Sequence, residues 1–308
     1  MTTPDESLYI GCKAHVDGIQ TSYGYVPSKA AGIAFCMLFG LSMIAHIAQL
    51  CWKRTWVYSV FAIGCLVELI GWAGRTWSAE CPYNSTAFLI QISTLIIAPT
   101  FFTAGIYVLL GRLIRLYGRE CSILSPKLYL WIFCTCDVVS LVIQAAGGGM
   151  ASSESNNKGD TAPGTNTMVA GIAFQLFSIT AFVVCAIDVF RRVKRLGMLS
   201  MATKGPLRPL LAAMVLSVIC IYIRSIYRTI ELAQGWHGYL ITHQSYFIGL
   251  DGVLMVIAVG VFNICHPRWL LPSEVDFTLP KHRPSESSQS ETLNLNTMTG
   301  FKGYGNNK

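Results

Sequence analysis

Apolar residues fall into seven long runs, at residues 30–52, 56–77, 87–110, 128–150, 168–190, 209–232 and 246–265, with short polar stretches between them. Each run is close to the ~20 residues that an α-helix needs to cross a bilayer. The pattern predicts an all-α polytopic membrane protein, a seven-transmembrane-helix bundle. Tryptophan and tyrosine at several run ends suit rings anchored at the headgroup level. The first 29 residues are polar and lack the apolar core of a cleavable signal peptide. The first run is therefore expected to act as its own insertion signal.

Basic residues in short loops favour the cytoplasmic side. The stretches after runs one, three and five hold Lys53 and Arg54; Arg112, Arg115, Arg119 and Lys127; and Arg191, Arg192, Lys194, Arg195, Lys204 and Arg208. Those after runs two, four and six hold only Lys158, beside Glu80, Glu154 and Asp160. This asymmetry predicts residues 1–29 as an extracellular segment, 30–267 as the membrane domain, and 268–308 as a cytoplasmic tail. The tail, rich in Ser, Thr and Asn, reads as disordered, and residues 152–164 read as a flexible outer loop.

Composition agrees: of 308 residues, 53% are hydrophobic and 13% charged, against about 25% charged in soluble domains. The net charge of +7 sits in clusters between the apolar runs, which argues for helix orientation and against nucleic-acid binding. Of eleven cysteines, Cys36, Cys51, Cys65, Cys134, Cys136, Cys185, Cys220 and Cys265 lie in or at the ends of apolar runs, where Cys behaves as a small hydrophobe. Cys134 and Cys136 lack a second half-site, so no zinc site is expected. Cys12 and Cys81 fall on the same side and are a candidate disulfide if that side is oxidising. Asn84-Ser85-Thr86 is a glycosylation sequon on that side.

Ionisable groups inside membrane spans are retained where they pair with one another or line a functional cavity. Positions seven apart share a helix face, so Glu68 with Arg75, Asp137 with Gln144, and Arg224, Arg228 and Glu231 form stripes expected to face the interior, the last of them paired within itself. With the N-terminus outside, Arg75, Gln91, Gln144, Arg228, Glu231 and Asp251 fall in the outer half, and Glu68, Asp137, Gln175 and Arg224 nearer the middle. Asp188, one turn from Arg191 and Arg192, reads as a surface ion pair. A polar cavity open outward would hydrate the cluster, and its surplus carboxylate would receive an amine, with Asp251, lacking a same-helix partner, as first candidate. The competing reading is a structural ion-pair network pinning helices two and six. Pro99, in mid-span of helix three, is a hinge or a static kink. Gly147, Gly148 and Gly149 are expected to end helix four, for close packing or a break into the loop.

Several motifs together resemble the fungal RTA-like, or lipid-translocating exporter, family over about residues 23–267. They are YGYVPS; ELIGWAGR; Q-x7-P-x7-Y-x3-GR from Gln91 to Arg112; DVVSLVIQAAGGG from Asp137; RSIYRTIELAQG; Asp251; and His266-Pro267. The resemblance implies a seven-helix protein of the fungal plasma membrane, linked to aminocholesterol resistance and to export of sphingoid long-chain bases, with one branch linked to porphyrin and haem traffic. Gln244 and Ile248 depart from the family pattern of Glu and Tyr, which bears on the exact substrate.

The residues support a translocase for amphipathic amines, with membrane lipids as its partners and no cofactor. The chain has no G-x-x-x-x-G-K-[ST] loop, so uphill transport would need an ion gradient or a partner. A seven-helix lipid receptor is the alternative; YVLLGRLIRLYG and VFNICHPRW lack the usual receptor endings. A zinc hydrolase would draw on His46, His237, His243 and His266, which lie in different elements and on opposite sides, so no enzyme is expected.

Overall fold

The computed structural model describes residues 12–271, apart from 17, 18, 20, 22, 54, 55, 157, 158, 198–206 and 237. Seven helices in it are long and apolar enough to cross a membrane. We number them α1 (Lys29–Lys53), α2 (Ser59–Glu80), α3 (Ser85–Tyr117), α4 (Pro126–Asn156), α5 (Ala162–Arg195), α6 (Leu207–Ala233) and α7 (Gln244–Ile264). They form a seven-span membrane bundle. The expected tail beyond residue 271 and His237 lie outside the described residues. A short helical turn, Pro267–Leu270, follows α7 within what read as tail.

Each span packs on the next, and α7 returns to α1. The third span touches α5, α6 and α7 as well as its sequence neighbours. It is therefore the central post, and its buried residues run from Ala87 to Tyr117. The half of the bundle remote from the N-terminal segment is filled by aromatic rings: Phe61 against Phe262 (centroids 4.8 Å apart), and Tyr107 against Phe182 (4.6 Å). Both clusters are apolar packing, as lipid-embedded interiors require.

Two expectations about helix ends change. The glycine run does not end α4, which continues to Asn156, and α5 starts at Ala162, so most of the expected outer loop is helical. Of the two roles expected for the run, close packing is the one seen, at Gly147. A Cβ on Gly147 would stand 2.5 Å from the Met168 backbone nitrogen, so α4 and α5 cross nearly backbone to backbone, as small residues allow in membrane helices. A Cβ on Gly149, by contrast, would meet nothing.

The seventh span is irregular. Ile248–Val253 forms a π-helical segment between the α-helical turn Gln244–Phe247 and Leu254–Ile264. Such wide turns re-aim side chains and recur at functional sites. Here the segment carries Asp251 into the interior. Gly252 lets it in: a Cβ there would lie 2.7 Å from both the Phe35 and Trp72 rings.

The N-terminal segment is bound across the bundle end where α2 stops and α3 starts. Cys12 and Cys81 are joined by a disulfide, and the Tyr83 hydroxyl bonds the Val16 backbone and donates to the Ile19 carbonyl. Gly24, at φ 76°, turns the chain between Tyr23 and Tyr25, and the Ser28 N–H donates to Gln244 Oε1 at 3.1 Å.

Replacing Gly147 with Val is expected to destabilise the bundle by about 1–3 kcal/mol through overpacking. Gly149→Ala is expected to be neutral, or stabilising by up to about 1 kcal/mol. Denaturant unfolding in neutral detergent reads both, and equal effects at the two positions would contradict the close α4–α5 crossing.

Candidate functional site

The polar residues singled out in the sequence do converge, except that they split into three groups. Nine of the ten are buried, among them Glu68 and Asp251 at 0% exposure, and Gln175 is half-buried.

The first group joins α3, α6 and α7 through Arg224. Its Nε lies 2.8 Å from Asp251 Oδ1, and its Nη2 donates to the Leu95 carbonyl at 2.5 Å. That carbonyl is free for a physical reason. Leu95 stands four residues before Pro99, and proline has no N–H to return to position i−4. Pro99 sits within an unbroken helix, and the acceptor it releases is taken by a neighbouring helix, as backbone groups in a membrane require. One turn along, Arg228 Nη1 donates to Glu231 Oε2 at 2.6 Å, and the Tyr227 hydroxyl donates to Glu231 Oε1 at 2.8 Å. Arg228 Nε stands 3.9 Å from Asp251 as well.

This corrects two expectations. Arg224 does not pair within its own helix stripe but across to α7. Asp251, the expected free acid, faces two arginines. Helical periodicity cannot reveal such a partner, because it reports faces within one helix and not the register between two.

The second group, at the N-terminal end, is built by α2, α3 and the N-terminal segment. Arg75 Nη2 donates to the Tyr25 hydroxyl at 2.6 Å, and Nη1 donates to Gln91 Oε1 at 3.3 Å. The same Gln91 oxygen accepts from the Tyr23 hydroxyl at 2.5 Å. Burial pushes the Tyr23 phenol up to about 12, so it stays protonated and donates. Glu68, seven residues before Arg75, forms no ion pair with it; the shared stripe does not bring them together.

The third group is Asp137 and Gln144 on α4 with their neighbours. Asp137 Oδ2 accepts from the hydroxyls of Thr103 (3.0 Å) and Tyr107 (3.1 Å) on α3. Gln144 Nε2 donates to Ser140 Oγ at 2.6 Å and to Gln175 Oε1 at 3.1 Å.

Two acids are therefore left without a cation: Asp137, held by hydroxyls, and Glu68, whose two oxygens are buried without hydrogen-bond partners. The Trp72 indole lies near Glu68 but outside hydrogen-bond geometry, and Asp251, Arg224 and Arg228 are within electrostatic range.

Among the described residues the polar cluster is packed shut and not lined up along an open cavity, with nine of its ten members buried. Between Gln144, Gln175, Arg224 and Arg228 lies a void of about 10 Å³, room for one water at most. Tyr23 and Tyr25 cap the N-terminal end of the cluster through Gln91 and Arg75, a role the sequence reading missed. No local signal marks them, because the arginine they pack against, Arg75, lies on α2, 50 positions beyond Tyr25.

Elsewhere, Asp188 bonds Arg192 at 2.7 Å, a surface pair as expected. His243 is exposed beside Tyr239, whereas His46 and His266 are buried toward the other end. Among the described residues, no three metal-ligating side chains converge.

The RTA1 like protein family model matches residues 61–274. Over 277 residues the chain is 33% identical to the sphingoid long-chain base transporter RSB1 of Saccharomyces cerevisiae, covering 79% of this chain and 72% of that protein. Protoporphyrin uptake protein 1 and Protein RTM1, both of the same yeast, are each 28% identical, covering 79% of this chain and 90% of each relative. No solved structure matches.

Asp251→Asn strands the buried Arg224 and is expected to cost about 3–5 kcal/mol. Glu68→Gln breaks no hydrogen bond and is expected to cost under about 1 kcal/mol. Unfolding free energies of the two variants check this, and equal losses would contradict the assignment of Glu68 as the unpaired acid.

Proposed function

Because the chain belongs to the RTA1-like family, we propose that it is a multi-pass translocase that exports amphipathic amines such as sphingoid long-chain bases, protecting the cell from toxic lipids or sterol amines. The observation that carries this is Glu68: a carboxyl group at 0% exposure in the middle of a membrane span, with no cation in ion-pair contact and no hydrogen-bond partner. A buried ionisable group of this kind marks a substrate path by default. An ammonium head group brings three donors and the missing positive charge, and an acyl chain needs no polar partner. The similarity to a protein named for sphingoid base transport supports the same reading.

Within it, Glu68 is the first ammonium acceptor and Asp137 the second, since Thr103 and Tyr107 leave Asp137 without a counter-ion. The Arg224–Asp251 and Arg228–Glu231 pairs set the interior's shape, with Gln91, Gln144 and Gln175 as its neutral polar wall. Pro99 is the hinge about which α3 would bend when the path opens. Transport of this kind needs no cofactor in the chain.

We place the N-terminal face outside, in the plasma membrane of a fungal cell. The loop cations support that sidedness, and a disulfide between Cys12 and Cys81 suits an oxidising exterior. Asn84 lies on the same face as a glycan acceptor. Its Oδ1 caps α3 by accepting from the N–H groups of Thr86 and Ala87, which leaves Nδ2 for the sugar.

Reconstituted in liposomes, the wild type should move a fluorescent long-chain base faster than empty vesicles do. Glu68→Gln should slow it about tenfold, the scale of one charge-assisted hydrogen bond, while a neutral analogue is handled alike by both. Wild-type rates equal to empty vesicles, or an unaffected Glu68→Gln, would sink the reading.

A further inference from the structure

Arg75 is a buried cation for which the described residues supply no anion. It is 1% exposed, yet among the described residues no Asp or Glu pairs with it. Its two nitrogen partners are neutral, the Tyr25 hydroxyl and the Gln91 amide oxygen, and its buried Nε has no partner at all. Aromatic rings surround it: Phe247 at 4.3 Å, Tyr23 at 5.3 Å, Tyr25 at 5.8 Å and Trp72 at 6.0 Å. Ring faces offset only part of the desolvation of a guanidinium.

If Arg75 served merely to hold the N-terminal segment, it would need a donor and not a charge. A neutral donor would bond Tyr25 and Gln91 without the burden of an unmatched ion. The fork of a guanidinium, by contrast, fits carboxylate and phosphate oxygens two at a time. Its level in the membrane suits the same ligands. Glu80, the last residue of α2, stands five positions beyond Arg75, about 8 Å along the axis, so a head group at the end of this span would be within reach.

The group now bonded to Nη2 is the one best able to leave. Tyr25 is carried by the N-terminal segment, beside Gly24 at φ 76°. That segment is tethered on one side by the Cys12–Cys81 disulfide and on the other by α1, so Tyr25 can withdraw without the segment being lost. We infer that Arg75 receives an anionic head group, a carboxylate or a phosphate monoester, and that the Tyr25 hydroxyl holds its place until the anion displaces it. The inference goes beyond amine transport: it assigns a second head-group site of opposite sign, at the N-terminal end of the interior, with aromatic walls for the body of the ligand.

Equilibrium binding tests it. The full chain, purified in a neutral maltoside detergent, is titrated with hexadecyl phosphate, palmitate, hexadecanol and inorganic phosphate, with the thermal unfolding midpoint as readout. Hexadecyl phosphate and palmitate should bind saturably and hexadecanol should not. Tyr25→Phe, which removes the competing hydroxyl, should tighten the anions about two- to tenfold, the range for one neutral hydrogen bond. Arg75→Lys should weaken them and Arg75→Gln abolish them. Saturation by inorganic phosphate at the same concentrations assigns the site to a soluble anion; its failure assigns the site to an amphiphile. Either outcome keeps an anion at Arg75. Hexadecanol binding as tightly as hexadecyl phosphate, or affinities unchanged in Arg75→Lys, overturns the inference. Should Arg75→Gln fail to fold, Tyr25→Phe decides, because unaltered anion affinity there is equally fatal. A wild type that moves no amine leaves this result standing, so the two readings fail separately.

Discussion

The Arg224 guanidinium is the constraint on which the interior depends. It sits on α6, reaches Asp251 on α7 at 2.8 Å, and donates to the Leu95 carbonyl on α3 at 2.5 Å. Each of those partners exists because of a local irregularity. The π segment around Asp251 aims the carboxylate inward, and Pro99 strips Leu95 of its helical donor. In lipid, where unsatisfied polar groups have no water to turn to, the irregularities and the arginine complete one another. Three helices are thereby fixed in register by groups that would destabilise any one of them alone.

The rest of the polar interior is arranged around this knot. Toward the N-terminal end, Arg228 with Glu231, and Arg75 with Gln91 and Tyr25, extend it to the N-terminal segment. Toward the other end, Phe61, Phe262, Tyr107 and Phe182 close the bundle with apolar contact. The structure is thus a packed, shut form. On the transport proposed here, a head group would pass only with the Tyr23–Tyr25 turn withdrawn and the side chains near Glu68 parted. A charge passing through must exchange partners with groups already in place, and this favours substrates that bring their own hydrogen bonds. The amine and anion proposals share this logic, since each assigns a ligand to a group left unmatched in the shut form.

Much of this was legible in the chain. Seven apolar runs of spanning length mark the seven helices, because the bilayer imposes a length that composition reports directly. Glu68, Arg75, Gln91, Asp137, Gln144, Arg224, Arg228, Glu231 and Asp251 were marked for burial because charge in lipid is costly. What periodicity could not carry was partnership. It grouped Glu68 with Arg75, which do not pair, and left Asp251 alone, although it faces Arg224 and Arg228. It ended α4 at its glycines, where close packing on Met168 and Gly164 carries the helix onward. It also took residues 1–29 as a mere extension, because nothing local marks Tyr23 and Tyr25 as interior residues. Their placement, with Tyr23 buried and Tyr25 half-buried, follows from the disulfide and from Arg75, both distant in sequence.

The most direct measurement is a double-mutant cycle on Arg224 and Asp251. Unfolding free energies of wild type, Arg224→Gln, Asp251→Asn and the double variant are compared in neutral detergent. If the pair fixes the interior as described, the two substitutions couple by about 2 kcal/mol or more, and the double variant is less damaged than the sum of the singles. Losses that add within about 0.5 kcal/mol, the behaviour of independent sites, would contradict the account.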